Sequence, residues 1–353
     1  MKIKLAILET DQSYLNRMIS VFTMKYADKF ELYSFNNLET ALPALKSAKI
    51  DVFLANDLFD IPFSELPERC GFAYFADSAD IDMIHGQKAI GKFQKAELIY
   101  KQILDIYSEK AGNSLEFRGE HQKTKVILFD SVSGGAGASS MAAACALHFA
   151  SQQRQVLYLN LEKFGSSDLF FTAEGQFDIS DIIYALKSKK ANLSVKLESC
   201  VKQDLRGVCF YSQSKIALDM LELTCDEITR LISELKMTGS YEYIVVDTNF
   251  AMHKNFIEAY LQAADILWVS DGSEISNDKI CRAYKALSAL EQGAEWSLTD
   301  RIAVIYNKFS NKTGKTIENT GIKNIGGAPR YEHANTNQIL ERLSGMDLFR
   351  QIE

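Results

Sequence analysis

The run Ser131-Val132-Ser133-Gly134-Gly135-Ala136-Gly137-Ala138-Ser139-Ser140 has the residue types of a phosphate-binding loop. Glycines at 134, 135 and 137 let backbone N–H groups turn inward round an anion, and a following helix N-terminus adds partial positive charge. A hydroxyl at the loop's end, Ser139 foremost, would hold Mg²⁺. Loops of this kind ordinarily place a lysine just before that hydroxyl, and Ala138 stands there. A cation on a transferring phosphoryl group contributes factors on the order of 10³ in rate. Its loss lowers turnover more than binding, because the backbone N–H groups and Mg²⁺ remain. The loop therefore predicts a nucleotide held with slow or absent hydrolysis.

Three further segments supply the remaining chemistry. Tyr243-Ile244-Val245-Val246-Asp247 is an apolar strand ending in a carboxylate, the form of a Walker B element, and Asp247 would hold Mg²⁺ directly or through water. Asn160-Leu161-Glu162 ends another strand and would place Glu162, the candidate catalytic residue, near an attacking water. Tyr306-Asn307-Lys308 ends a late strand, where the Asn307 amide can donate to and accept from adenine. Lys163, Lys308 and Arg330 are the candidate cations for the missing charge.

These residues need strands that end together. Val126–Phe129 precedes the loop as a buried strand, and Met141–Leu147 follows it as a helix. Further strands are expected at Gln155–Leu161, Gly207–Tyr211, Tyr243–Asp247, Ile266–Ser270 and Arg301–Tyr306. Ligands in open α/β sheets sit at the carboxyl ends of strands, where all the candidates fall.

The N-terminal third alternates in the same way. Strands are expected at Lys2–Leu8, Phe30–Phe35, Asp51–Ala55, Gly71–Phe75 and Ala89–Ile90, and helices at Gln12–Lys25, Leu38–Ser47 and Ala96–Glu109. The predicted architecture is two doubly wound, parallel-sheet α/β domains. Residues 1–110 form a flavodoxin-like, receiver-type domain, 111–123 a polar linker, and 124–353 a P-loop nucleotide-binding domain. A chain of 353 residues suits two domains of about 150 residues each.

Composition excludes several classes. No run of about 18 uncharged apolar residues is present, so no transmembrane helix is expected. Six scattered cysteines without a C-x-x-C pair fit a reducing cytoplasm. A formal net charge of −7 disfavours nonspecific binding to nucleic acid over the whole surface. Lys187, Lys189, Lys190 and Lys196 read as a solvated helix face, and Thr336–Leu343 with Met346–Ile352 as a packed C-terminal helix.

In the first domain, Glu9 and Asp11 partly match the acidic pair of response-regulator receivers, and Lys92 matches their lysine. Asn56 stands where such domains carry a phosphoacceptor aspartate, with Asp57 one residue later. An amide cannot form an acyl phosphate, so an unphosphorylated, partner-binding pseudo-receiver is expected.

The loop, Asn160, Glu162, Asp247, Asn307 and Pro329 together resemble the MinD/ParA family of deviant Walker A ATPases over roughly Thr124 to the C-terminus. By that resemblance, Ser133, Gly134, Gly135, Ala136, Gly137, Ala138, Ser139 and Ser140 bind the phosphates. Ser133 replaces the lysine that reaches a dimer partner, while Asn307 and Pro329 lie around the adenine. The receiver-like domain, the run Ile325–His333 and the preceding Ile305–Ser310 make the whole chain similar to the TadZ/CpaE proteins of Tad (Flp-type) pilus assembly. That resemblance implies ATP (or ADP) and Mg²⁺ as cofactors and a homodimer working with other pilus assembly proteins. It further implies a cytoplasmic location at a cell pole, no specific nucleic acid, and membrane association only through partners. The alternative is an active MinD/ParA-type ATPase positioning cargo on membrane or DNA.

Overall fold

Continuous apolar runs set the centre of each sheet. Val126, Ile127, Leu128 and Phe129 are all at most 2% exposed, and full burial of such side chains contributes about 1.5–3 kcal/mol each. The computed structural model describes residues 2–110, 123–188, 192–249, 254–318 and 320–353; apart from Lys123, the expected linker lies outside them. The chain divides into two units, Met1–Phe117 with Tyr184–Cys200, and Arg118–Ile183 with Val201–Glu353.

The first unit holds β1 (Ile3–Leu8), β2 (Phe30–Phe35), β3 (Val52–Asn56), β4 (Gly71–Ala76), β5 (Met83–Ile84) and β6 (Gln87–Gly91), in the order β2-β1-β3-β4-β6-β5. Every ladder is parallel except the short β5–β6 hairpin. This is the flavodoxin-like order with a small edge strand added. The helix Gln12–Tyr26 starts because Asp11 caps it, its side chain accepting from the N–H groups of Ser13 and Tyr14.

The helix Leu193–Cys200 also belongs to this unit and packs on the helix Ala96–Lys110. This corrects the reading of Lys196 as part of a solvated face. Lys196 is 5% exposed and ion-paired with the buried Asp105, which also receives Lys88 at 2.8 Å. Lys189 and Lys190 lie outside the described residues.

The second unit holds β7 (Lys125–Asp130), β8 (Val156–Asn160), β9 (Lys202–Gln203), β10 (Cys209–Phe210), β11 (Tyr243–Asp247), β12 (Asp265–Ser270), β13 (Ile302–Phe309) and β14 (Lys323–Pro329). Their order is β14-β13-β12-β7-β11-β8-β10-β9, parallel but for the terminal β9–β10 pair. The helix Ala138–Ser151 after the loop has no polar stripe. Residues 141–149 are all buried, as suits a helix enclosed on every side. Leu340, Leu343, Phe349 and Ile352 from the C-terminal helices close the core beside it, so their apolar faces are spent inside the unit.

Three strands are not expected from sequence, the two-residue β5 and β9 and the longer β14. Gly326 and Gly327 disfavour a strand, yet close approach requires a glycine: a Cβ at Gly327 would lie 2.5 Å from Tyr306 Cβ.

Candidate nucleotide and metal site

Strand β7 lies at the middle of its sheet, between β12 and β11, and the loop leaves its carboxyl end. Gly134, Gly135 and Gly137 have φ of 59°, 72° and 88°, the left-handed conformations that direct successive N–H groups into a concavity. Gly137 caps the following helix, where Ala138, Ser139 and Ser140 form the first turn. A Cβ at Gly137 would meet the Asn307 amide nitrogen at 2.4 Å, so its glycine is required twice over.

Parallel register brings the acidic residues to this end. Asp247 of β11 pairs with Asn160 of β8 on one side and with Phe129 of β7 on the other. Asp247 is fully buried, and its Oδ2 accepts from the Tyr158 hydroxyl at 2.7 Å and from Asn160 Nδ2 at 3.0 Å. Its Oδ1 is buried without a hydrogen-bond partner. Glu162 accepts from the Ser139 hydroxyl at 3.1 Å through Oε2 and from Asn249 Nδ2 at 3.3 Å through Oε1. Its own N–H donates to Asn160 Oδ1 at 3.0 Å.

Burial, then the nearby Glu162 carboxylate, holds the Asp247 carboxyl well above the usual range. Burial likewise raises Glu162. Two carboxyl groups and a hydroxyl thus share a corner short of positive charge. One carboxylate oxygen there has lost water and gained nothing in exchange. Oxygen donors of this kind suit a small hard cation such as Mg²⁺, which Ser139 and Asp247 would hold.

Asn307 and Lys308 brace the other side of the loop. Asn307 Nδ2 donates to Ala136 O at 2.9 Å, and its Oδ1 accepts from the Lys308 N–H at 3.0 Å. Its amide thus serves the loop backbone here. Lys308, with φ of 57°, sends its ammonium to Gly135 O at 2.8 Å. Pro329 is exposed at the end of the edge strand β14, with β13 and β12 between it and β7. Ser133 bonds the Ser276 hydroxyl at 2.7 Å, so it faces its own chain.

Sequence reasoning passed over Tyr158, Asn249, Ser276 and Asp130. The signal for Tyr158 was present, since it lies two residues before Asn160 and so on the same strand face. Asp130, buried at the end of β7, accepts from the Ser131 N–H at 2.6 Å and from the Tyr260 hydroxyl. Burial pushes its carboxyl up to about 8.

The receiver-type unit has a corresponding corner. Glu9 is fully buried, receives Asn56 Nδ2 at 2.6 Å, and pairs with the Lys92 ammonium at 3.1 Å. Asp11 is occupied as a helix cap, and Asp57 is exposed.

The second unit therefore has a fold like that of solved ParA and MinD structures. It is similar to a ParA family ATPase from Chlorobium tepidum TLS, with 20% identity and a TM-score of 0.51, covering 65% of this chain and 96% of that one. It is equally similar to the MinC:MinD cell division complex of Aquifex aeolicus, at 19% identity and a TM-score of 0.51, covering 65% and 96%. Residues 1–108 match the family model described as the TadZ-like receiver domain. No curated protein sequence matches the chain. Among the described residues, no helix is long and apolar enough to cross a membrane.

Proposed function

We propose that the second unit holds ATP, or ADP after slow turnover, with Mg²⁺, and that the chain is a dimeric localisation and assembly factor for a Tad (Flp-type) pilus system. The observation that carries the nucleotide reading is Asp247 Oδ1, an unpartnered buried carboxylate oxygen on the strand beside a glycine nest. A glycine nest recruits phosphate, and a stranded carboxylate oxygen recruits the cation that accompanies it. With Mg²⁺ bound, the metal supplies charge neutralisation at the phosphates. The loop N–H groups orient the phosphates, Tyr158 and Asn160 orient Asp247, and Glu162 is placed to accept a proton from water.

The pilus reading rests on the TadZ-like receiver domain joined to a MinD/ParA-type fold. In the receiver, Asn56 offers no acyl-phosphate chemistry, and Lys92 already neutralises Glu9. That supports a partner-binding domain working without phosphorylation.

The test is Mg-ATP binding and turnover by the purified full chain, with its mass in solution. Binding with turnover near background, and a dimer mass with nucleotide, are expected. Absence of both binding and thermal stabilisation overturns the nucleotide reading. Rapid turnover stimulated by DNA or lipid vesicles instead makes the chain a positioning ATPase.

A further inference from the structure

We infer that Lys308 supplies, from the same chain, the phosphate-neutralising charge that the loop itself lacks. This inference rests on the nucleotide reading of the loop. Asn307 and Lys308 are clamped to consecutive loop peptides, the ammonium to Gly135 O at 2.8 Å and the amide to Ala136 O at 2.9 Å. The lysine backbone is itself in the left-handed region, at φ 57°, immediately after the last buried residue of β13. Its side chain is thereby turned onto the loop.

An ammonium has three donors, and Gly135 O takes one of them. Two remain for phosphate oxygens, so the lysine need not leave the loop to bind them. Lys308 is exposed, and its flexible stem allows small adjustment to the anion.

Neither Ser133 nor Ala138 brings charge to the loop. Ala138 is apolar, and Ser133 is held by Ser276 at 2.7 Å within its own chain. The opposite side of the site carries the side chains of Glu162 and Asp247, so a cation for the phosphates has to come from another element. Lys308 meets that need without a second copy of the chain. Phosphate recognition in cis predicts that a monomer binds nucleotide and that any dimer is not required to complete the charge.

The experiment is calorimetric titration of the full chain with Mg-ATP, Mg-ADP and AMP, for the wild type, Lys308→Gln and Lys308→Arg. Lys308→Gln keeps a donor for Gly135 O but loses the charge. A charge-assisted hydrogen bond is worth about ten- to hundredfold in affinity, so Lys308→Gln should weaken Mg-ATP by about that factor. AMP, lacking the β- and γ-phosphates, should change by less than about threefold, and Lys308→Arg should keep most of the affinity. Mass measurement at the titration concentration should show one nucleotide per monomer. Equal Mg-ATP affinity in wild type and Lys308→Gln overturns the inference while leaving the site reading intact. No binding of any nucleotide by the wild type overturns both. A variant that also loses AMP in proportion points to loop collapse and counts against a phosphate-specific role.

Discussion

The Tyr158 hydroxyl donates to Asp247 Oδ2 at 2.7 Å and so determines which oxygen of that carboxylate is left for a ligand. The tyrosine comes from β8 and the aspartate from β11, neighbours in register, so the sheet itself aims the free oxygen.

Asp247→Asn removes a buried carboxyl that lies against Glu162, so the nucleotide-free protein should melt no lower than wild type. The variant should nevertheless lose most of the stabilisation that Mg-ATP gives the wild type. Scanning fluorimetry with and without Mg-ATP reads both effects, and an undiminished shift in the variant would exclude Asp247 from the metal site.

Asp130 gives a pH prediction. Its folded-state carboxyl titrates at about 8, far above the roughly 3.9 of an unfolded aspartate. Between those values the folded chain binds a proton that the unfolded chain has released, so stability falls as pH rises through that window. Chemical denaturation from pH 5 to 8 should show this decline, and Asp130→Asn should flatten it by about one proton's worth. An unchanged slope in the variant would contradict the assignment.

Two glycine substitutions separate strain from collision. Gly134 has φ of 59° with nothing within 4 Å of a new methyl group, so Gly134→Ala should cost about 1–2 kcal/mol of strain. Gly137→Ala meets Asn307 Nδ2 at 2.4 Å as well, and should cost clearly more. Equal melting temperatures for the two variants would show that Asn307 yields freely.

Lys92→Met should destabilise the receiver-type unit by about 3–5 kcal/mol, because it leaves the buried Glu9 without its ion-pair partner. Glu9→Gln combined with Lys92→Met should recover part of that loss. Urea unfolding followed by tyrosine fluorescence reads the change. Recovery would tie the loss to the ion pair rather than to packing.

Much of the fold and the site is legible in the sequence, for a physical reason. The strands Val126–Phe129 and Tyr243–Asp247 are apolar on both faces, which marks them as central strands of a covered sheet. Three glycines within four residues, set between a strand and a helix, point directly to a backbone that wraps an anion. Strand β14 is hidden because its glycines are chosen by the nearness of Tyr306, a contact that no local pattern records. Lys196 is misread because its burial depends on Asp105, which stands 91 residues away. Asn307 is readable as a polar residue at a strand end. Its bonds to Ala136 and Lys308 are not, since they arise only once β13 and the loop are side by side.

The assignment of Tyr184–Cys200 to the first unit has a consequence for inheritance. A simple crossover near residue 110 would not transplant the whole receiver-type body, because the helix that pairs Lys196 with Asp105 is encoded beyond it. The acceptor of such a transfer would receive Asp105 without one of its two lysines.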